Sequence, residues 1–209
     1  MLQDAQKASR TSATRDHIVG VASELFYSRG TRAIGIDEII AEAGVAKATL
    51  YRHFPGKEDL IVAYLEARRA HLEQAFSNCL ARKNACFTDR VLAIFDDLAK
   101  NLKAGGFRGC AFLMAVAEQN GSIRIRETAR AYKLFLRNQL HALLKGHVPK
   151  SGQVADQLML VYEGAIATAV LRLDSNPAAQ ARRCAKILLS QYKTTKKGKS
   201  ADRQKKRRE

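Results

Sequence analysis

Apolar residues recur with the period of an α-helix along most of this 209-residue chain. From Thr14 they return every three or four positions, through Ile18 to Phe26, which gives one apolar helix face. Thr14 is a suitable N-cap, and Gly30 is expected to end the helix in the left-handed conformation. Residues 1–13 are polar and lack this period, so the sequence predicts a flexible arm there.

Two short helices are predicted next, at about residues 36–43 and 47–54, with Gly44 between them. Glycine adopts a left-handed turn at low cost, and two short helices joined by such a turn form a helix-turn-helix. Pro55 and Gly56 end the second of these helices. A long helix is then predicted from about Lys57 to residue 80.

The rest of the chain also favours helices. They are predicted near residues 88–104, 107–119, 123–145, 153–174 and 177–192, with glycine- or proline-containing turns between them. No strand-like alternation competes with this period. The sequence therefore predicts an all-α protein, in which a three-helix DNA-binding domain (14–60) precedes a larger helical domain (61–192).

The second helix of the helix-turn-helix has an exposed face suited to DNA. This face carries hydrogen-bond donors, a hydroxyl and slim side chains that can enter a major groove. Its members are Lys47, Ala48, Thr49, Tyr51, Arg52 and His53.

The segment from Ala43 to Leu60, AGVAKATLYRHFPGKEDL, resembles the signature of the TetR family of transcriptional regulators. In that family the pattern is A-G-V-[ST]-x-[GA]-[TS]-[LF]-Y-x-[HY]-F-x-[SNG]-K-x-x-L, and the resemblance covers about residues 14–62. Two positions depart from it. Gly35 stands where a capping Thr or Ser is usual, and Ala46 replaces a common Ser or Thr. A weak cap is expected for the helix that follows Gly35, and a missing phosphate contact is expected at Ala46.

The resemblance implies a role for each matching position. Bases would be faced by Lys47, Ala48, Thr49 and Arg52, with Lys47 and Arg52 reading guanine edges, and phosphates would be held by Tyr51, His53 and Lys57. Other interpretations stay open. Tyr51 could pack inside the three-helix unit, His53 could be structural, and Lys47 and Arg52 could be merely solvated.

Beyond residue 62 the resemblance is weaker. The segment 108–118 is similar to one in a TetR subgroup where a Gly-Cys pair opens the sixth helix. Family C-terminal domains hold an apolar effector pocket, which implies a small apolar or amphipathic effector. The candidates to line it are Phe95, Leu98, Leu102, Cys110, Phe112, Met114, Tyr132, Phe135 and Leu136. Ordinary core packing is the alternative for these side chains.

The last two helices are suited to a dimer interface. One face of the first is apolar and includes small residues that would let two helices approach closely, and the pair could build a four-helix bundle across a two-fold axis. The predicted interface residues are Leu158, Val161, Tyr162, Ala165, Ala169 and Leu173. An internal core is the alternative.

The net charge of +16 favours a polyanionic partner, but the excess lies outside the helix-turn-helix. Residues 1–60 hold eight basic and eight acidic residues, whereas the tail 193–209 holds nine basic and two acidic residues. Disorder is expected in that tail. It could add DNA affinity or only solubility. An architectural nucleic-acid binder remains an alternative, although it would leave the long helical domain without a role.

Enzyme chemistry is not indicated. The five histidines lack ligand spacing, a glycine-rich phosphate loop is absent, and the four cysteines lack zinc-finger spacing, so no catalytic residue, metal or cofactor is predicted. Reduced, mostly buried thiols are expected, with a redox switch at Cys110 as the alternative. Without a continuous apolar run of about 18 residues or a signal core, the protein is expected to be soluble and cytoplasmic. By family analogy, a repressor released by an effector is expected.

Overall fold

A computed structural model describes residues 2–81, 85–172 and 176–192, with side chains from residue 11 onward. All regular secondary structure within these ranges is helical, as the apolar period predicts. The predicted basic tail, 193–209, and Leu173 of the predicted dimer interface lie outside the described residues.

The helix bounds follow the predicted ones within a few residues, except at the N-terminus. The helices are α1 (Leu2–Arg29), α2 (Ile36–Ala43), α3 (Lys47–His53), α4 (Lys57–Leu80), α5 (Phe87–Lys103), α6 (Ala111–Glu118), α7 (Ile123–Leu144), α8 (Ser151–Leu171) and α9 (Pro177–Ser190). At the start of α9, the Asn176 side chain accepts a hydrogen bond from the Ala179 backbone N–H at 3.1 Å.

The predicted arm over residues 1–13 is wrong, because α1 begins at Leu2 and Thr14 is not its N-cap. Residues 2–13 contain no glycine or proline and include Ala, Leu, Gln and Lys, which favour helices. Extending an existing helix costs far less than nucleating one. The missing apolar period is evidence against packing, not against a helix.

The chain divides into two compact units, which differ from the division predicted at residue 60. Unit 1 comprises Met1–Gln74 and Arg108–Lys133, and unit 2 comprises Ala75–Phe107 and Leu134–Glu209. The boundary falls inside α4, a helix of 24 residues, between Gln74 and Ala75 rather than at residue 60. The sixth helix therefore belongs to the same unit as the helix-turn-helix.

Unit 1 is built around apolar side chains from its first four helices. Ile18 and Phe26 of α1 are buried, as are Ile39 of α2 and Leu50 of α3. The Phe26 ring lies 5.8 Å from the ring of Tyr64 in α4, tilted by 53°. This burial fixes α2 and α3 against α1 and α4, and it leaves the opposite face of α3 open to solvent.

In unit 2, α9 packs against both α5 and α8. Phe95 of α5 meets Tyr162 of α8 edge-on at 6.1 Å, and Arg182 of α9 binds Asp96 at 2.8 Å. By length and composition alone, α8 is long and apolar enough to cross a membrane, which the sequence analysis did not anticipate. Such a helix is weak evidence for a membrane protein, since core helices pass the same test.

The cysteines are free, but the expectation of mostly buried thiols is wrong for two of them. Cys79 is buried and Cys110 is intermediate, whereas Cys86 and Cys184 are exposed. The Cys86 thiol donates to Asp89 Oδ2 at 3.0 Å. Small polarizable side chains are tolerated on helix surfaces, so the burial preference of cysteine is only a statistical guide.

Candidate nucleic-acid interface

The turn between α2 and α3 has the geometry that a helix-turn-helix requires. Gly44 ends α2 at φ +62°, in the left-handed region that glycine tolerates, and its backbone N–H bonds to Ala41 O at 3.3 Å. Leu50 is fully buried and Phe54 is 2% exposed. These two anchors set which side of α3 faces the core and which faces solvent.

The predicted recognition residues lie mostly on the solvent side of α3. Lys47, Ala48 and Arg52 are exposed, whereas Thr49 and His53 are half-buried. Tyr51 is 41% exposed, so the alternative that it packs inside the three-helix unit is not observed. The structure thus places donors, a hydroxyl and a small side chain on one short helix, as major-groove reading requires.

Lys47 has an acidic partner that the sequence analysis missed. Its ammonium donates to Asp37 Oδ1 of α2 at 3.0 Å, and this hydrogen bond raises the pKa of Lys47. Both side chains are exposed, so the pair contributes little to stability. It nevertheless holds a carboxylate beside a side chain that was predicted to read guanine.

Lys57 lies at the start of α4, half-buried. Its Nζ donates to the carbonyl oxygen of Arg32 at 3.4 Å. Desolvation lowers the pKa of Lys57, and the negative charge of Glu118 opposes that shift. The ammonium is therefore held by the turn between α1 and α2, which positions the charge that was predicted to bind a phosphate.

Both helices of the motif lack a side-chain cap, which was predicted for α2 from Gly35, whereas the phosphate contact predicted to be missing at Ala46 stays a prediction. Gly35 and Ala46 occupy the N-cap positions in extended conformations, and neither makes a side-chain cap hydrogen bond. Arg52 and His53 lie in the last turn of α3, where positive charge is favourable.

Residues outside the motif hold it in place. His17 Nε2 of α1 lies 3.0 Å from Ala43 O and, in the tautomer that carries that proton, donates to it. The guanidinium of Arg15 lies 5.3 Å from the centre of the Phe54 ring. These contacts connect α1 to the ends of α2 and α3. The sequence shows no signal for them, because each joins residues that are far apart along the chain.

The start of α4 is tied to the start of α7. The Arg124 guanidinium donates to Asp59 Oδ1 at 2.8 Å, which lowers the pKa of Asp59, and the Ser122 hydroxyl donates to Glu58. Asp59 Oδ2 also accepts from the backbone N–H of Gly56 at 2.9 Å and so caps α4. The segment that follows the recognition helix is thereby fixed from two sides.

The predicted pocket residues are divided between the two units. Phe95, Leu98, Leu102, Phe135 and Leu136 belong to unit 2, and Cys110, Phe112, Met114 and Tyr132 belong to unit 1. Within unit 1 the Phe112 and Tyr132 rings stack at 4.2 Å and are buried. Tight ring packing of this kind fits the core alternative for these two side chains. An effector pocket stays a prediction.

The predicted dimer interface includes residues that pack within the single chain. Leu158 and Ala165 are 1% and 5% exposed, and Tyr162 packs on Phe95. Val161 and Ala169 are half-buried. The helix α8 is apolar on two faces, and the face chosen from the sequence is the one that packs inside unit 2. The dimer interface itself stays a prediction.

The face of α8 that a partner could reach carries a different set of residues. Leu160 and Leu171 are 73% and 84% exposed, and Gly164 and Ala167 lie exposed between them at helical spacing. Each residue turns the helix by about 100°, so this stripe lies roughly opposite the predicted one. Ile187 of α9 is also 64% exposed. We refer to Leu160, Gly164, Ala167 and Leu171 as the α8 stripe.

Comparisons with known proteins agree with this geometry. The family described as "Bacterial regulatory proteins, tetR family" matches residues 18–64, which form the second half of α1, all of α2 and α3, and the start of α4. A solved TetR-family transcriptional regulator from Streptomyces coelicolor, SCO4454, superposes with a TM-score of 0.78 at 30% identity. That superposition covers 87% of this chain and 96% of the other.

The chain belongs to the TetR family. Among curated relatives, the HTH-type transcriptional repressor NemR of Escherichia coli is 30% identical over 106 residues, which are 50% of this chain and 53% of NemR. The HTH-type transcriptional activator FasR of Mycolicibacterium smegmatis is 46% identical over 52 residues, 25% of this chain and 24% of FasR. The chain thus spans about half the length of NemR and a quarter of FasR. Both relatives are named as HTH-type transcriptional regulators, one as a repressor and one as an activator.

Proposed function

We propose that this TetR-family protein is a sequence-specific DNA-binding transcriptional regulator that represses as a homodimer and leaves its operator when it binds a small apolar or amphipathic effector. The observation that carries the proposal is the solvent face of α3. Lys47, Tyr51 and Arg52 are exposed there, on a helix whose other side is anchored by Leu50. This face lies within the segment that matches the family.

In this proposal α3 enters the major groove. Lys47 and Arg52 donate to guanine edges, Ala48 and Thr49 approach neighbouring bases, and contacts from Tyr51, His53 and Lys57 to phosphates set the register. Arg52 is the strongest candidate for base reading, since it is exposed in the last turn of α3.

The test is selection of bound duplexes from a random pool, followed by variants on the selected sequence. Arg52→Ala should relax the base preference at one position and cost about 1–3 kcal/mol of binding free energy. Lys57→Ala should weaken operator and random duplexes alike. Arg126→Ala, which removes an exposed arginine from α7, is the matched control and should behave as wild type. If Arg52→Ala binds the selected duplex as tightly as wild type, α3 is not the reader.

The homodimer is supported by the α8 stripe. Leu160 and Leu171 are 73% and 84% exposed and lie along one stripe, and the small residues between them would allow close approach of a second copy. A two-fold dimer would place two copies of α3 on successive major-groove faces and would require a palindromic operator. The same pairing would cover the apolar α8, which accords with a soluble, cytoplasmic protein.

Repression by default is favoured by the resemblance to NemR, which is named a repressor. A reporter gene placed behind the selected operator tests whether the protein represses or activates transcription. Expression should rise when the regulator gene is deleted, whereas a fall would identify an activator, the role in the name of FasR.

A further inference from the structure

Glu118, the last residue of α6, reaches the turn between α1 and α2. One carboxylate oxygen, Oε2, accepts hydrogen bonds from the backbone N–H of Thr31, from the Thr31 hydroxyl at 2.7 Å and from the Arg32 backbone N–H at 3.1 Å. Thr31 is only 3% exposed. Gln119 Nε2 donates to the same threonine hydroxyl at 3.1 Å. The end of α6 therefore satisfies polar groups of this turn that water reaches poorly.

Gly30 leaves the space that the carboxylate occupies. A Cβ atom at this position would lie 2.8 Å from Glu118 Oε1, and the φ of Gly30 is +94°. Glycine is therefore favoured at this position for two reasons: α1 ends in the left-handed conformation, and the Glu118 carboxylate approaches closely.

The same turn holds Lys57. The backbone N–H of Arg32 donates to Glu118, and the carbonyl oxygen of Arg32 accepts from Lys57 Nζ at 3.4 Å. A loss of Glu118 would therefore release the peptide groups that place the ammonium. The turn also leads directly into α2, which begins at Ile36 and carries α3 behind it.

We propose that Glu118 is a positioning residue for DNA binding, which fixes the α1–α2 turn and, through it, the phosphate contact of Lys57. This inference rests on the proposed function. It assigns a role in DNA binding to a residue that lies far beyond the helix-turn-helix in sequence and has no contact with that motif's recognition face.

Two effects of removing the Glu118 charge oppose one another, and this makes the test decisive. A carboxylate near a DNA-binding surface repels phosphates, so its neutralisation alone would tighten binding. Loosening the turn would instead weaken binding, because Lys57 would have to be ordered when DNA binds. The proposal requires that the second effect is larger.

The experiment compares Glu118→Gln with wild type in the full-length protein. Binding to the selected operator and to a random duplex is measured over a range of salt concentrations, beside a melting curve that confirms folding. Glu127→Gln is the matched control, since Glu127 is an exposed acid of α7 whose ion pair with Arg130 spans 3.8 Å. Thr31→Val, which removes only the hydroxyl, is the milder second variant.

Glu118→Gln should weaken binding of both duplexes by roughly tenfold, the scale of one charge-assisted hydrogen bond. The slope of log affinity against log salt should become shallower by about 0.9 for each phosphate that the protein no longer neutralises. Glu118→Gln combined with Lys57→Ala should bind no worse than Lys57→Ala alone, because both changes act on the same phosphate interaction. Thr31→Val should move in the same direction by a smaller factor.

Three results would overturn the inference. Tighter binding by Glu118→Gln would make Glu118 a repelling charge, and unchanged affinity with an unchanged salt slope would make its role merely structural. Additive losses with Lys57→Ala would show that it acts by another route. If the wild-type protein selects no duplex, the proposed function itself is refuted. This result is obtained before any variant is compared, so the two failures can be distinguished.

Discussion

Leu160 of the α8 stripe offers a direct test of the proposed dimer. Its side chain is 73% exposed in the single chain, so a second copy could cover most of it. Full burial of a leucine contributes roughly 2 kcal/mol. A two-fold interface contains each residue twice, so Leu160→Asp should destabilise the dimer by about 4 kcal/mol. That change corresponds to a dissociation constant raised about a thousandfold.

Sedimentation velocity over a range of protein concentrations measures this shift. Wild type should sediment as a dimer at micromolar concentration, and Leu160→Asp as a monomer with an unchanged helical circular dichroism spectrum. Leu113→Asp is the matched control, because Leu113 is 55% exposed on α6 of unit 1 and should leave the dimer intact. Ala165→Asp, at a buried position of the same helix, should lower the melting temperature instead. A Leu160→Asp protein that remains a dimer would refute the assignment of the α8 stripe.

Four further outcomes are expected. Ala46→Ser should add a hydroxyl N-cap to α3, stabilise the protein by about 1 kcal/mol and raise the melting temperature by about 2–4 °C. Asp37→Asn should free Lys47 and tighten binding of the operator more than of random duplexes, as measured by fluorescence anisotropy, because wild type must break this ion pair before Lys47 can reach a guanine edge. Deletion of 193–209 should weaken binding to both duplexes by a similar factor and flatten the salt dependence, whereas an unchanged slope would assign the tail to solubility. Burial raises the pKa of Tyr64 to about 12. The stability that its neutral hydroxyl contributes is therefore present below pH ~10 and is lost as the pH rises towards 12. In urea unfolding, the free energy of unfolding of Tyr64→Phe should fall less steeply with pH over this alkaline range than that of wild type.

Two control variants distinguish the capping of α3 and the release of Lys47 from the general effects of adding a hydroxyl or removing a negative charge. Gly35→Ser adds the same hydroxyl at the N-cap of α2, but glycine is already tolerated there, so the gain should be only a few tenths of a kcal/mol. Glu42→Gln removes an acid from the same helix as Asp37 and should tighten both duplexes equally. If Ala46→Ser is no more stable than Gly35→Ser, the expected capping effect is contradicted. If Asp37→Asn and Glu42→Gln change DNA binding identically, Asp37 acts only as a charge that repels phosphates.

The helices and the exposed face of α3 could be predicted from the sequence because their causes are local. Gly30 and Gly44 end helices at positive φ, and the alternation of buried Leu50 with exposed Lys47 and Arg52 is visible in the helical period. The helix over residues 2–13 could not be predicted from an apolar face, because a helix that extends an existing one does not need such a face.

Other features depend on contacts between distant residues. Glu118 and Thr31 are 87 positions apart, and nothing in the neighbourhood of either residue signals their hydrogen bond. The sequence of α8 is apolar on both the core side, at Leu158, and the open side, at Leu160, so the sequence alone does not show which side packs within the chain. The packing of α9 and of Phe95 against α8 decides between these sides.

Selection of duplexes from a random pool by the full-length protein, repeated with Arg52→Ala, shows whether α3 reads an operator. A palindromic motif is expected, with half-sites about 34–36 Å apart or a multiple of that spacing, and Arg52→Ala should relax its base preference at one position in each half-site. A pool with no enriched motif, or a motif that Arg52→Ala selects unchanged, would contradict this expectation.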